Sequence, residues 1–157
     1  MRRLAGIETR HSTVMAIVGG GVVAGTLDIG AAALINMASP ALILRFVAGG
    51  LLGGAALEGG ASIALLGYLL QLAMSLIIAT IYVGASRQLA FLRTRWIAAG
   101  LAFGVVVFFV MNYVVLPLSA WARVPHFTVA SFCWNVLAML AFGVVIAWFA
   151  RAVSRAQ

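Results

Sequence analysis

The residue best suited to chemistry is Asp28, the one carboxylate in an apolar stretch from Ser12 to Met37 that is long enough to cross a bilayer. A charged side chain near the bilayer centre costs about 2.5 to 3.5 kcal/mol on insertion scales, so it is kept where something compensates. An amide would pack helices equally well without this cost. A carboxyl that gains or loses a proton is typical of a proton or cation site, and Asp28 is therefore the first candidate for function.

Three amides lie at a similar depth in the other apolar stretches: Gln71, Asn112 and Asn135. At about 1.5 Å of rise per residue, the four polar side chains fall within about 10 Å of one another in depth. One polar residue per helix predicts a shared layer. Two interpretations stay open, a proton or cation site and a set of interhelical hydrogen bonds worth about 0.6 kcal/mol each.

Small residues accompany this layer at helical spacing. Ala24 lies four residues before Asp28, and Gly104 lies eight before Asn112, so both polar side chains are predicted on inward-packing faces of small residues. Two GxxxG pairs, which let membrane helices approach closely, reinforce this prediction. They are Gly21 with Gly25 and Gly100 with Gly104.

Three ionisable residues outside the predicted spans are candidate partners of this layer. Arg45 would meet Asp28 if the segment after the first span folds back into the membrane, with Glu58 as its competing partner. Histidine is the side chain whose charge ordinarily changes in the physiological pH range, which makes His126 a candidate sensor of external acidity. His11 is predicted at the opposite face from His126, so the two cannot jointly bind a metal or a haem.

The elements that must position these residues are transmembrane helices. Of 157 residues, 65% are hydrophobic and 8% are charged, and the mean hydropathy is +1.17. Such a chain is expected to be a single all-α integral membrane domain in the lipid bilayer. About 20 helical residues cross the hydrocarbon core. Four stretches qualify: 13–37, 61–85, 96–118 and 128–150.

The arginines predict the topology. The chain has a net charge of +7 and no lysine. Two arginines, Arg45 and Arg123, fall on one side of the predicted spans, and the other eight fall on the opposite side. By the positive-inside rule both termini are cytoplasmic in a bacterial inner membrane. Arginines at span ends, rather than in one patch, argue against nucleic-acid binding.

The segment 39–60 is of another kind. Ser39 and Pro40 are typical of a helix N-cap and first turn, and six glycines follow between residues 49 and 60. This composition predicts a short interfacial or re-entrant helix near Ala41 to Leu52 on the outer face. An outer loop packed on the bundle and a fifth span are the alternatives; the fifth span would put the basic amino terminus outside.

The chain lacks the residue groups of an enzyme. Cys133 is the only cysteine, which excludes an intrachain disulfide and a cysteine-based zinc site. No nucleophilic triad, phosphate-binding motif or carboxylate cluster stands in the sequence. We therefore expect no catalytic residues, no metal and no cofactor.

Three segments resemble the YagU family of small bacterial inner-membrane proteins. They are Gly21-Val-Val-Ala-Gly-Thr-Leu-Asp28, the span around Gln71, and Phe109-Val-Met-Asn112-Tyr-Val-Val-Leu-Pro117. The similarity covers most of the chain from the first span to the fourth. It implies a four-span inner-membrane protein of uncharacterised mechanism with a family association with acid resistance. The chain is shorter outside the spans than the family, so no functional residue is transferred.

Two functions follow as expectations. The first is proton or small-cation handling, related to acid stress, through the layer around Asp28. The second is a non-catalytic accessory or assembly subunit, with Asp28 meeting an arginine of the partner. One polar residue per helix leaves little room for a transport path in a single chain, so a homo-oligomer or a larger membrane complex is expected.

Overall fold

The computed structural model describes the backbone of residues 2–154 and the side chains of residues 12–152. Predictions that rest on the side chains of Arg2, Arg3, Glu8, Arg10 and His11, or on Arg155, lie outside the described residues.

Every regular element of residues 2–154 is helical, which confirms the all-α prediction. In chain order the elements are α1 (Arg2–Ile35), α2 (Pro40–Leu52), a 3₁₀ helix (Gly53–Glu58), α3 (Ala61–Gln88), α4 (Ala90–Thr94), α5 (Trp96–Val110), a π-helical segment (Met111–Val115), α6 (Leu116–Leu118) and α7 (Val129–Ser154).

Five stretches of the described chain are long and apolar enough to cross a membrane, where the sequence predicted four. Four of them match the predicted spans: Ser12–Ile35, Ala61–Gln88, Trp96–Leu118 and Val129–Ala152. The fifth, Pro40–Glu58, is the predicted outer segment. Its 19 residues comprise α2 and the 3₁₀ helix that follows directly, although Gly53, with a φ of +70°, ends the α-helix itself.

Residues of α1, α3, α5 and α7 share one hydrophobic core. The main helix contacts join α5 to α7, α7 to α1 and α1 to α3, and α2 packs on α3. Large side chains close the structure between α3 and α5, where the rings of Tyr82 and Phe103 meet edge to face at 4.9 Å. Tyr82 is buried and its hydroxyl donates to the carbonyl of Leu92 at 3.3 Å, which ties the short α4 to the core.

α1 and α3 run antiparallel. Gly21 lies against Leu76 and Gly25 lies against Ser75, so the numbering rises on one helix as it falls on the other. Extended by about three turns, this register places Ile35, the end of α1, at about the level of the first turn of α3. The connecting segment therefore leaves and rejoins these helices at one end of the protein, which we call the α2 end.

α2 begins as the sequence predicts. The hydroxyl of Ser39 accepts a hydrogen bond from the amide of Leu42 at 3.2 Å, and Pro40 occupies the first turn. Gly67 of α3 lies so close to the carbonyl of Leu44 that a Cβ there would overlap it. Because only glycine permits this approach, α2 rests directly on the α3 backbone.

The other side of α2 packs on the loop after α6. Trp121 stacks on Phe46 with ring centroids 4.7 Å apart, and its indole N–H donates to the Phe46 carbonyl at 3.0 Å. A Cβ at Gly49 would overlap the Trp121 ring. The amide of Ala120 donates to the carbonyl of Gly50 at 2.8 Å. Together with the contact at Gly67, these interactions make α2 a bridge from α3 to the loop between α6 and α7.

Pro117 lies in α6, one residue before the end of the third apolar stretch at Leu118, close to where the sequence predicts that span to end. A proline within a helix removes one hydrogen bond and its ring crowds the carbonyl four residues earlier, here that of Tyr113. The π-helical segment Met111–Val115 surrounds this position. It widens the helix where the proline would otherwise clash.

Candidate functional site between α1 and α3

The central feature of the site is a hydrogen bond between two helices. The side-chain amide of Gln71 on α3 donates to a carboxyl oxygen of Asp28 on α1, with 2.8 Å between nitrogen and oxygen. Both side chains are half-buried. These two of the four polar residues predicted to form a layer are in direct contact.

Small residues create the room for this bond. A Cβ at Gly25 would overlap the hydroxyl of Ser75, and one at Gly21 would lie 2.9 Å from a methyl carbon of Leu76. The two helices therefore approach as the GxxxG spacing predicts. Ser75 is 1% exposed, and its hydroxyl donates to the Gln71 backbone carbonyl at 2.9 Å, so it has its own partner beside the pair.

The chemistry of the pair suits a carboxyl that changes its protonation state. A primary amide carries both donors and an acceptor. Gln71 can donate to an ionised Asp28, and its oxygen can accept from a protonated one. An arginine or lysine in its place would only donate, and would hold the carboxyl ionised. The pair can therefore keep a hydrogen bond in either state.

Asn112 and Asn135 do not take part in this hydrogen bond. Asn112 donates to the carbonyl of Phe108 at 2.9 Å, and Asn135 donates to the carbonyl of Ser131 at 2.7 Å. Both bonds run four residues back along the same stretch of helix. α5 packs mainly on α7, and α7 rather than α5 packs on α1. The predicted four-residue layer is thus reduced to one pair of residues in contact.

Arg45 pairs with neither Asp28 nor Glu58, the two acids that the sequence suggested as its partners. Its guanidinium donates to the carbonyls of Leu57 at 3.0 Å and Gly59 at 2.9 Å. The 3₁₀ helix and its end bring these carbonyls beside α2, within hydrogen-bonding distance of the guanidinium. The side chain of Glu58 is exposed.

His126 is exposed in the irregular segment that precedes α7. A cavity of about 330 Å³ lies beside this segment. Its lining residues are Tyr113, Pro125, Phe127, Thr128, Val129 and Phe132. This cavity is at the α2 end and is lined by neither Asp28 nor Gln71.

The second GxxxG pair also lies at a helix contact. A Cβ at Gly104 would overlap the Met139 carbonyl, and one at Gly100 would lie 2.9 Å from the Ala147 Cβ. The partner glycine on α7, Gly143, was missed by the sequence analysis. A Cβ there would overlap the carbonyl of Gly100. Its signal was available, since Gly143 is the only glycine of the fourth predicted span.

Within the described residues, no group of three or more His, Cys, Asp and Glu side chains is placed to hold a metal ion. Cys133 is exposed and unpaired by any disulfide. The site therefore consists of one carboxyl and one amide between two closely packed apolar helices.

Searches of protein-family models, of curated proteins and of solved structures find no match to this chain.

Proposed function

We propose that the chain is a bacterial inner-membrane protein with four spans, both termini in the cytoplasm, and α2 on the outer face. The antiparallel register of α1 and α3 supports this topology, because a fifth span at α2 would make α1 and α3 parallel. α2 alone is about 20 Å long, short of a hydrocarbon core of about 30 Å, and the α-helical backbone ends at Gly53 before the 3₁₀ helix that completes the 19-residue stretch.

The positive charges agree with this orientation. Arg87, Arg93, Arg95 and Arg151 lie at the end opposite α2, which we call the arginine end. The positive-inside rule then places the arginine end in the cytoplasm. Arg45 and Arg123 accompany α2 on the outer side.

We infer that the protein handles protons or small cations through Asp28, with Gln71 as the residue that positions the carboxyl. The observation that carries this proposal is the 2.8 Å bond between the two side chains. It gives an intramembrane carboxyl a partner that accommodates both protonation states. The resemblance to the YagU family, and the link to acid stress that it implies, are compatible with such a site.

Proton flux into liposomes tests this function. Purified protein is reconstituted with an entrapped pH-sensitive dye, and a potassium diffusion potential drives proton entry. We expect flux from the wild type and none from Asp28→Asn, which keeps the shape and the hydrogen bond but cannot ionise. Asn112→Ala is the matched control, because Asn112 bonds to its own helix, and it should retain flux. Wild-type flux no greater than that of protein-free liposomes, or full flux from Asp28→Asn, contradicts the proposal.

A non-catalytic accessory subunit is the second candidate, and the exposed apolar surface favours it. In an 18-residue apolar section of each of the five long stretches, between 17% and 33% is buried inside the protein. Large apolar side chains such as Leu34 and Val129 are more than 80% exposed. Lipid, a second copy or a larger complex covers this surface. Isolation in mild detergent followed by mass spectrometry should then yield a stoichiometric partner, lost on Asp28→Leu if a partner arginine meets Asp28.

A further inference from the structure

The arginines at the two ends of the protein differ in their surroundings. At the α2 end both are engaged: Arg45 donates to backbone carbonyls, and the guanidinium of Arg123 lies over the rings of Phe46 at 5.3 Å and Trp121 at 4.8 Å. At the arginine end, the side chains of Arg87, Arg93 and Arg95 are exposed. The guanidinium groups of the α2 end thus contact other groups of the protein even though Arg123 is exposed.

The charge of these three arginines is not balanced by described acids. Asp28 and Glu58 are the acids whose side chains the structure describes, and they lie in the contact between α1 and α3 and at the α2 end. Arg87 is in the last turn of α3, Arg93 is in α4, and Arg95 joins α4 to α5. Nine residues of chain thus carry three positive charges around one corner of the protein.

The same corner exposes apolar side chains. Leu89 is 57% exposed and Phe91 is 56% exposed, and both lie between Arg87 and Arg93 in the chain. Leu92, by contrast, packs against the core, and its carbonyl accepts from Tyr82. α4 is therefore fixed to the bundle on one side and presents apolar and basic side chains on the other, a combination suited to the boundary between lipid headgroups and acyl chains.

A fourth arginine stands beside this corner in a fixed position. The guanidinium of Arg151 lies over the ring of Trp96 at 5.0 Å, in cation–π geometry. Trp96 is the first residue of α5 and directly follows Arg95. An aromatic side chain at the end of a span is typical of the interfacial region.

We propose that the α4 corner, residues 87–95, binds the phosphate groups of anionic phospholipids. Arginine pairs with phosphate through charge-assisted hydrogen bonds, while Leu89 and Phe91 enter the acyl region. The proposal rests on the membrane location and on the cytoplasmic orientation of the arginine end. It does not depend on proton handling by Asp28.

Native mass spectrometry of the full chain tests the lipid site. Protein released from detergent is titrated with phosphatidylglycerol and, separately, with phosphatidylcholine of the same acyl chains, and bound lipid is counted. We expect preferential retention of phosphatidylglycerol. The triple variant Arg87→Gln, Arg93→Gln, Arg95→Gln should lose that preference, with a loss of about fivefold in affinity for each arginine removed.

Two matched variants separate this site from general effects. Asp28→Asn should bind phosphatidylglycerol like the wild type, so a failed flux experiment leaves the lipid proposal intact. Phe91→Ser should weaken binding of both lipids while keeping the preference for the anionic one. Circular dichroism checks that each variant is folded, and single Arg93→Gln and Arg95→Gln replace the triple variant if it is not.

Three results overturn the proposal. The first is equal retention of the two lipids by the wild type. The second is an undiminished preference in a folded arginine variant. The third is displacement of bound phosphatidylglycerol by inorganic phosphate at millimolar concentration, which would make free phosphate the ligand and the lipid incidental.

Discussion

Two helix contacts in this protein use the same small residues and differ in what they hold. Between α1 and α3, Gly21 and Gly25 bring the helices together and Asp28 bonds to Gln71 across the gap. Between α5 and α7, glycines again permit close approach, but the amides of Asn112 and Asn135 donate within their own helices. Close packing alone therefore does not create a polar site.

The difference lies in the partner available to each polar side chain. An asparagine is short enough to reach the carbonyl four residues earlier, as Asn112 and Asn135 both do. An ionised aspartate only accepts, so it cannot bond to a backbone carbonyl in this way. Asp28 needs a donor from another element, and Gln71 supplies it. The carboxyl thus depends on the contact between α1 and α3, whereas the two asparagines do not depend on theirs.

The largest expected loss of unfolding free energy is at the contact between α5 and α7. Gly143→Val would drive side-chain atoms into the backbone of Gly100 and Gly104, and backbone cannot move aside as a flexible side chain can. We expect a loss of unfolding free energy at or above the upper part of the usual overpacking range, about 3 kcal/mol. Unfolding by denaturant in mixed micelles measures it. The control is Gly84→Val, where nothing lies within 4 Å of the Cβ position; an equal loss there would refute the packing argument.

The contact between α1 and α3 should tolerate a methyl group somewhat better. At Gly25 the group met is the side chain of Ser75 rather than a carbonyl of the backbone. Gly25→Ala should cost about 1 to 2 kcal/mol of unfolding free energy. Adding Ser75→Gly removes the obstruction, so the double variant should be more stable than the two single losses predict. Strict additivity would mean that these residues do not meet.

A smaller effect isolates the polar pair. In a double-mutant cycle on the unfolding free energy, Asp28→Ala and Gln71→Ala should be coupled by about 0.6 to 1.7 kcal/mol, the range measured for hydrogen bonds between membrane helices. The reference cycle replaces Gln71→Ala with Asn112→Ala, and its coupling should be near zero since the two residues share no partner. Similar coupling in both cycles would indicate that Asp28 interacts with Asn112 as strongly as with Gln71, as the predicted four-residue layer requires.

The smallest effects are expected at the two asparagines. Asn112→Ala and Asn135→Ala each remove a bond within one helix, and the carbonyl left behind keeps its ordinary place in the helical backbone. Each should change the unfolding free energy by at most about 0.5 kcal/mol. The same denaturant titrations measure the unfolding free energy of both variants. A loss of several kcal/mol from either variant would indicate a bond across the helices instead.

Much of this fold could be predicted from local sequence. Four of the five long apolar stretches follow from length and hydropathy, and the start of α2 follows from Ser39 and Pro40, whose capping contacts lie within three residues. The contact at Gly21 and Gly25 was predictable for a similar reason, because GxxxG spacing places both glycines on one face.

What could not be predicted depends on the rotation of each helix and on distant partners. The glycines of α5 mark the face that contacts another helix, but they do not indicate that α7 is the partner or that Asn112 bonds within its own stretch of helix. Arg45 binds carbonyls that exist as neighbours only once the 3₁₀ helix has formed. Gly143 becomes significant only opposite the glycines of α5. The spacing of residues along a single helix does not predict any of these contacts.

Infrared difference spectroscopy on the reconstituted protein tests most directly whether Asp28 takes and releases a proton beside Gln71. Spectra recorded at acidic and alkaline pH would reveal the carbonyl stretch of a protonated carboxylic acid. We expect such a band in the wild type, its absence in Asp28→Asn, and a shifted frequency in Gln71→Leu, which removes the hydrogen-bond partner. A spectrum with no band that depends on Asp28, or a band unaffected by Gln71→Leu, would show that Asp28 does not exchange a proton beside Gln71.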